Sequence, residues 1–485
     1  MKRARGERMA GRNEGVPGWV LAVAFVVIAV AGLGFAVATG IAPDGPWAEA
    51  ATGLGVVALA MMALQFFSSG RFPMLTGRIG IDRAIAFHSW AARLLFATAV
   101  LHPFLYMVPT FMIDPSLAYD RVVAMFLGER TRTGLVAWLA IIAIPALVLA
   151  RKWFAIPYEW WRASHAVLAV VALVAGVAHA LSLGTYAGED LPAYVWLALT
   201  VAAILTLVVV HGWRHFAGLR DPWRLAWKKR VGWGLWELAF SRDSGAPFPY
   251  RAGQFIWLRT APRLAPLFDH PFSIASTPRD PDLRLVVKEV GDYTRGIGAF
   301  PDGLAAAMDG PHGVFTADPD AKAFLLLAGG AGIAPILGIL RDFARAGETR
   351  PIRIVVCAGG PERVVAREEI EAMAERLDLK ARFLVEEAGP DWEGEIGMLD
   401  DALLARSLEG LPVPGTQALI CGPTAFMTSL ADILLDRGFP ADDVHYERFD
   451  YSGGPYSRID RAERMRFRLM GLVVGLAVLA FALRG

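Results

Sequence analysis

The chain has 485 residues, 55% of them hydrophobic, with 48 Lys and Arg against 47 Asp and Glu. This near-neutral balance gives no basic footprint for a nucleic-acid partner. Two cysteines, Cys357 and Cys421, cannot build a disulfide framework or a four-thiolate zinc site.

In chain order, six long apolar runs come first: Gly15–Pro43, Ala50–Gly70, Ala84–Ile113 (interrupted by Arg93), Thr133–Ala150, Ala163–Gly188 and Leu191–Trp213. Each reaches the roughly 20 apolar residues that a bilayer-crossing helix needs. The first is too long for a signal-peptide core and lacks a small-residue cleavage site. With the N-terminus inside, segments 1–12, 71–83, 151–162 and 214–230 carry seventeen Lys and Arg, and the outer loops carry three, Arg121, Arg130 and Arg132. That asymmetry puts the N-terminus and everything after the sixth span in the cytoplasm.

The third and fifth spans hold histidines. His88 and His102 are fourteen positions apart, and so are His165 and His179. Fourteen steps fall about 40° short of four helical turns, so each pair shares one face, about 21 Å apart along the axis. Both spans run from inside to outside. His88 and His165 therefore share an inner level, and His102 and His179 an outer one. Facing imidazoles at two depths suit the axial sites of two stacked b-type haems, whose porphyrins fill a bundle interior. A single intramembrane histidine is more simply an interhelical hydrogen-bonding group; equal spacing on two parallel spans weakens that reading. Leu95 and Ala172 fall midway between the levels, with Phe96 one step round, partly filling the gap. Arg93 lies nearly opposite the histidine face, and Pro103 bends the outer end of the third span. His211 and His215, four apart at the inner end of the sixth span, have a spacing that can hold a metal, but they read as interfacial.

From about Trp223 charge returns and Gly and Pro punctuate. Alternating strands such as "WELAF", "FIWLR" and "LRLVVKE" predict a small antiparallel barrel. "AFLLLAGGAGIAPILGILRDFA" reads as a buried strand, a glycine turn and a helix, a place where backbone amides cradle phosphate. Its spacing is not the regular dinucleotide fingerprint. "TQALICGPTAFM" puts Cys421 at the C-terminal end of a strand, where open α/β sheets hold ligands. Leu469–Leu483, preceded by Arg461, Arg464, Arg466 and Arg468, predicts a seventh crossing with an interfacial helix as its alternative.

The paired histidines together with "HPFSIAS" resemble the ferric reductase and NADPH oxidase superfamily, and the likeness runs through nearly the whole chain. It implies a multi-domain membrane protein. An all-α six-helix transmembrane haem domain (1–222) precedes a cytoplasmic ferredoxin-reductase-like module. That module comprises an antiparallel β-barrel FAD domain (223–318) and an α/β NAD(P) domain (319–450), followed by an extension (451–485). By the resemblance, His270, Pro271, Phe272 and Ser273 line FAD, with Ser273 near the reactive flavin nitrogen. Lys288, Gly291 and Thr294 hold its pyrophosphate with the helix after Thr294. Gly329, Gly330, Gly332 and Pro335 match the nucleotide phosphate loop, and Cys421, Gly422 and Pro423 the nicotinamide site. Phe449 covers the flavin; Ser273, Cys421 and Phe449 form the catalytic set. NADPH is favoured over NADH, with Arg363 or Arg367 serving the 2′-phosphate. The resemblance implies an oxidoreductase of the bacterial inner membrane, embedded in lipid, passing electrons from cytoplasmic NAD(P)H through FAD and two haems to an outer acceptor. That acceptor is a ferric chelate, dioxygen or a periplasmic redox protein. The alternative is a haem-free, membrane-anchored flavoprotein reductase whose bundle is an anchor or an ion or proton pathway.

Overall fold

A computed structural model of the chain describes residues 15–68, 71–188, 190–261, 268–448 and 454–484. It divides into two compact units. One gathers Val16–Leu75, Arg83–Trp213 and Arg464–Gly485; the other contains Thr76–Asp82 and Arg214–Glu463.

The first unit is helical. Its long helices are α1 (Gly18–Ala38), α2 (Pro46–Phe67), α3 (Ile81–Leu105), α4 (Arg132–Phe154), α5 (Tyr158–Leu183) and α6 (Asp190–Leu207). All six, and the C-terminal helix Arg458–Ala482, are long and apolar enough to cross a membrane. Pro46 at the first turn of α2 follows Gly45, a start signal that sacrifices no hydrogen bond. α2 is the centre of the bundle, because 61% of its apolar window is buried against 28% or less in the other spans. The core runs through Phe25, Val57, Met61, Ala91, Leu95, Leu173 and Val177. α6 continues through a π-helical turn, Val208–Trp213. The stretch after α3 is not loop: Val108–Ile113 and Pro115–Leu127 are helical, and Asp114 caps the second by accepting from the Ser116 and Leu117 amides. A short capped helix carries too few apolar residues to announce itself as a span.

The C-terminal helix packs along this bundle. Phe467 meets Phe87 and Trp90 at ring centroids of 5.4 and 5.7 Å. Gly53 lets it approach α2, since a Cβ there would lie 3.2 Å from Val478 and 3.3 Å from Phe481. At its end Arg484 pairs with the buried Glu49 at 2.8 Å, and the Tyr186 hydroxyl donates to the same carboxylate at 2.8 Å.

The second unit contains two sheets. β1 (Trp223–Gly232), β2 (Leu235–Arg242), β3 (Phe255–Thr260), β4 (His270–Ser273), β5 (Leu283–Lys288) and β6 (Ala305–His312) form an antiparallel sheet in the order β4-β3-β6-β1-β2-β5. A bridge between Ile274 and Leu285 ties its two edges. β7 (Ala323–Gly329), β8 (Ile352–Ala358), β9 (Leu379–Val385), β10 (Glu395–Ile396), β11 (Thr416–Cys421) and β12 (Val444–Tyr446) form a parallel sheet in the order β10-β9-β8-β7-β11-β12. β7 is buried at every position, as a strand covered on both faces must be. The strand order reverses between β7 and β11, the crevice where such sheets bind ligands.

Helix α7 (Ile333–Ala346) joins the sheets. A Cβ on Gly338 would lie 2.6 Å from the Ile274 carbonyl. Arg341 donates to Glu237 at 2.9 Å, to the Ala275 carbonyl at 2.8 Å and to Glu369 at 2.7 Å. A buried cation with this many acceptors is fixed in direction, so the two sheets share one frame.

The tightest backbone approach is at the switch point. A Cβ on Gly332 would lie 2.0 Å from the Cys421 carbonyl oxygen, with nowhere to move. Gly332→Ala is expected to destabilise the parallel sheet by about 3 kcal/mol. Hydrogen exchange on the full chain checks this: β7 and β11 amides lose protection while those of α2 to α5 stay unchanged.

Candidate functional site

α3 and α5 bring His88 and His165 together, with ring centroids 6.3 Å apart and planes inclined by 52°. Two imidazoles on opposite sides of one metal, each nitrogen about 2 Å from it, give a centroid separation of about this size. The second pair is framed differently. His102 Nδ1 lies 2.6 Å from the Ala51 carbonyl oxygen, which can only accept, so Nδ1 carries the proton and Nε2 keeps its lone pair. His88 Nδ1 lies 2.9 Å from Ser68 Oγ, and Ser68 is held in turn by Gln65. On α5, His165 Nδ1 and His179 Nδ1 are buried without a protein partner among the described residues. Buried polar atoms are rarely left so.

Glycines sit opposite the outer imidazoles. A Cβ on Gly55 would be 2.8 Å from His102, and one on Gly134 would be 2.7 Å from His179 Nδ1. Any side chain there would push the ring out of place. Between the levels Leu95 and Ala172 are buried, as expected. Phe96 is 36% exposed, so it does not fill the gap; one helical step carries it out of the bundle. Arg93 is exposed, away from the histidine face. Among the described residues no group of three or more His, Cys, Asp or Glu could hold a bare metal ion. The two imidazoles of the inner level fit a metal that brings its own equatorial ligands, as haem iron does.

In the antiparallel sheet, β4 carries His270, Pro271, Phe272 and Ser273 beside β3. The His270 ring stacks on Tyr293 at 4.0 Å and 20°, and Tyr293 shares a 3.0 Å hydrogen bond with Thr260. Burial pushes the Tyr293 phenol up to about 12, so it stays protonated. Tyr293 and Thr260 were not singled out by sequence; the signal was a tyrosine between Gly291 and Thr294. Thr294 lies within the short helix Asp292–Arg295, and a single 3-10 turn, Ile297–Ala299, follows it. Its hydroxyl accepts from the Val290 and Gly291 amides at 2.9 and 3.0 Å, so it shapes the turn. Lys288 is exposed at the end of β5. Phe449 lies outside the described residues.

At the parallel sheet's switch point, Gly329, Gly330 and Gly332 lead into α7, which carries Pro335. Gly330 has φ of +55°, a conformation that only glycine adopts cheaply. A Cβ on Gly422 would lie 3.0 Å from Gly329 Cα, so the turns after β7 and β11 touch through bare backbone, with Pro423 against Gly329. Cys421 is buried, and burial, with the nearby Glu447 charge, pushes its thiol up to about 12. It stands as a neutral, compact group. Arg363, in the turn after β8, lies over the Trp233 ring at 4.6 Å and beside Glu362 at 3.2 Å. Arg367 is spent elsewhere: it bonds Glu371 at 2.8 Å and the Glu393 carbonyl at 2.6 Å and stacks on Phe383 and Trp392. His211 lies in the π-helical turn, and His215 is buried instead of facing an interface.

Three families match in the same order along the chain. Residues 54–176 match "Ferric reductase like transmembrane component", 230–301 match "FAD-binding domain" and 326–432 match "Oxidoreductase NAD-binding domain". Ferredoxin–NADP reductase B of Sorangium cellulosum (strain So ce56) is 31% identical over 223 residues, 44% of this chain and 91% of that one. The glycine betaine monooxygenase reductase subunit of Pseudomonas aeruginosa (strain UCBPP-PA14) is 28% identical over 228 residues, 45% of this chain, and the chain spans 61% of its length. Among solved structures, a ferredoxin NADP+ reductase from Neisseria gonorrhoeae with bound FAD and NADP aligns at 22% identity and a TM-score of 0.39, over 45% of this chain and 91% of that one. A ferric-reductase-like membrane component is thus fused to a flavin and nicotinamide module, and the chain belongs to the ferric reductase and NADPH oxidase superfamily as an NAD(P)H-dependent membrane oxidoreductase.

Proposed function

We propose that the protein carries electrons from cytoplasmic NAD(P)H, through FAD and two b-type haems, across the bacterial inner membrane to an outer acceptor, a ferric chelate or dioxygen. The observation that carries this reading is the His88–His165 approach at 6.3 Å, on the two helices that also hold His102 and His179. When bound, the nicotinamide and flavin supply two-electron chemistry and the haems one-electron steps.

The chain's own residues do the positioning. His88 with His165, and His102 with His179, would hold the two irons. Ser68 and the Ala51 carbonyl set the rings on α3. Leu95 and Ala172 keep water from the space between the levels. His270, Pro271, Phe272 and Ser273 would line the flavin, with Lys288 and Gly291 toward its pyrophosphate. Thr294 holds that turn in shape. Gly329, Gly330, Gly332 and Pro335 offer backbone to the dinucleotide phosphates. Cys421, Gly422 and Pro423 would face the nicotinamide, where a neutral thiol would pack without a competing charge. Arg363, with no helix-binding duty comparable to that of Arg367, serves a 2′-phosphate. The six helices α1–α6 form the haem bundle, the antiparallel sheet the flavin barrel, and the C-terminal helix a seventh crossing.

A dithionite-reduced minus oxidised spectrum of the purified protein should show b-type α and Soret bands. His102→Ala or His179→Ala should remove about half of that signal while NAD(P)H still reduces the flavin. Retention of both haems in either variant would show that the ligand pairing is wrong. For the acceptor, NADPH-driven reduction of cytochrome c is measured with and without superoxide dismutase: inhibition identifies dioxygen, and its absence with active ferric-chelate reduction identifies iron. Arg363→Ala should raise KM for NADPH roughly tenfold, the scale of one charge-assisted contact, with KM for NADH little changed. Equal shifts for both nucleotides would contradict the assignment.

A further inference from the structure

At the inner end of the fifth helix, a buried hydrogen-bond donor stands without an acceptor. Trp161 lies one turn before His165 on α5, its ring 5.7 Å from the imidazole. Its indole Nε1 is buried and unpartnered among the described residues. A buried indole N–H ordinarily finds an acceptor, because leaving it unmatched costs about 1–3 kcal/mol. Beside it stands a cation. The Arg151 guanidinium, from the last turns of α4, lies over the Trp161 ring at 5.5 Å and over the Tyr158 ring at 5.1 Å. Stacking on aromatic faces leaves the guanidinium's N–H edge free. Among the described residues no carboxylate lies within ion-pair distance of Arg151. Tyr158 and Trp161 belong to the first turn of α5, whose amide dipoles are already met by Glu159 in the same turn, so the helix end adds nothing that Trp161 and Arg151 do not.

We infer that Arg151 and Trp161 together bind a propionate carboxylate of the inner haem, the one held by His88 and His165. This rests on the haem reading above. Two independent features stand side by side and each calls for a small anion: an orphaned neutral donor and a planar cation stacked on its ring. A haem held by His165 has its porphyrin edge within reach of a residue one helical turn away, about 6 Å along the axis. Its carboxylates must leave hydrocarbon toward the nearest water, and the basic segment 151–162 is the inner side. Tyr158 has the supporting part of the second stacking face for Arg151. Arg151 and Trp161 are thus positioning residues: they fix how the macrocycle sits about its iron axis and neutralise charge near it.

A carboxylate that loses its donor or its cation is less compensated, which favours the more positive, ferric iron and lowers the midpoint potential. The test uses the purified full-length protein in a His179→Ala background, so that one haem remains to be read. Trp161→Phe keeps the ring and removes the N–H; Arg151→Gln removes the charge. Each should move the inner haem's midpoint downward in a spectroelectrochemical titration and shift the propionate bending band in the resonance Raman spectrum. Arg151→Lys should recover most of the potential but not the band position, since an ammonium keeps the charge and loses the fork. If Arg151→Gln sheds the haem, Arg151→Lys must restore binding; failure to do so overturns the inference. Unchanged midpoint and Raman band in Trp161→Phe and Arg151→Gln also overturn it. Absence of any b-type band in the unmutated protein instead removes the haem reading itself, so the two failures are told apart.

Discussion

Imidazole in hydrocarbon has to be given partners, and that requirement organises the helical unit. Each histidine brings a donor and an acceptor into a medium that supplies neither. On α3 the protein answers with Ser68 and the Ala51 carbonyl, both from the α2 segment. On α5, among the described residues, it gives no protein partner to Nδ1 of His165 or His179. The asymmetry separates the two helices by task. α3 has its rings fixed by α2, while the rings of α5 are set mostly by packing. α2 is consequently the most buried span, since it must touch α3 closely enough for a 2.6 Å contact and must carry glycine at residue 55.

The second unit solves a different problem with the same economy of atoms. Where the turns after β7 and β11 meet, side chains are removed: Gly329, Gly332 and Gly422 leave the two turns in backbone contact. Where two sheets must keep a fixed relation, a charge is inserted: Arg341 draws together Glu237, Ala275 and Glu369. Both choices make the local backbone intolerant of substitution, one through space and the other through unpaired charge.

Much of this was legible in the sequence, for reasons that can be named. Spans announce themselves because hydrocarbon thickness sets a length and composition that few soluble segments meet. The histidine faces followed from helical periodicity alone, and the His88–His165 approach agrees with the level that periodicity gave them. What could not be read were partners contributed from far along the chain. Nothing local to Ala51, Gly55 or Gly134 marks them as neighbours of an imidazole. Tyr293 escaped notice because a stacked ring looks like any core aromatic. Arg367 offered itself as a phosphate ligand until its acceptors, Glu371 and the Glu393 carbonyl, were in view. Phe96 was misplaced by a single step of 100°, which on a helix this narrow separates the interior from the lipid-facing surface.

The pairing of Glu49 with Arg484 has a temporal side. The two residues are 435 positions apart, so the carboxylate is synthesised long before its cation. At ordinary elongation rates of about 5–20 residues per second, that interval lasts roughly 20 to 90 seconds. Until then the Glu49 carboxylate, at the start of the central helix, is without the cation it meets in the finished bundle. The face of α2 that will receive Val478 and Phe481 is open for the same interval. That face of α2 is therefore without its covering helix while the one helix that bears both His88 and His102 has already been made.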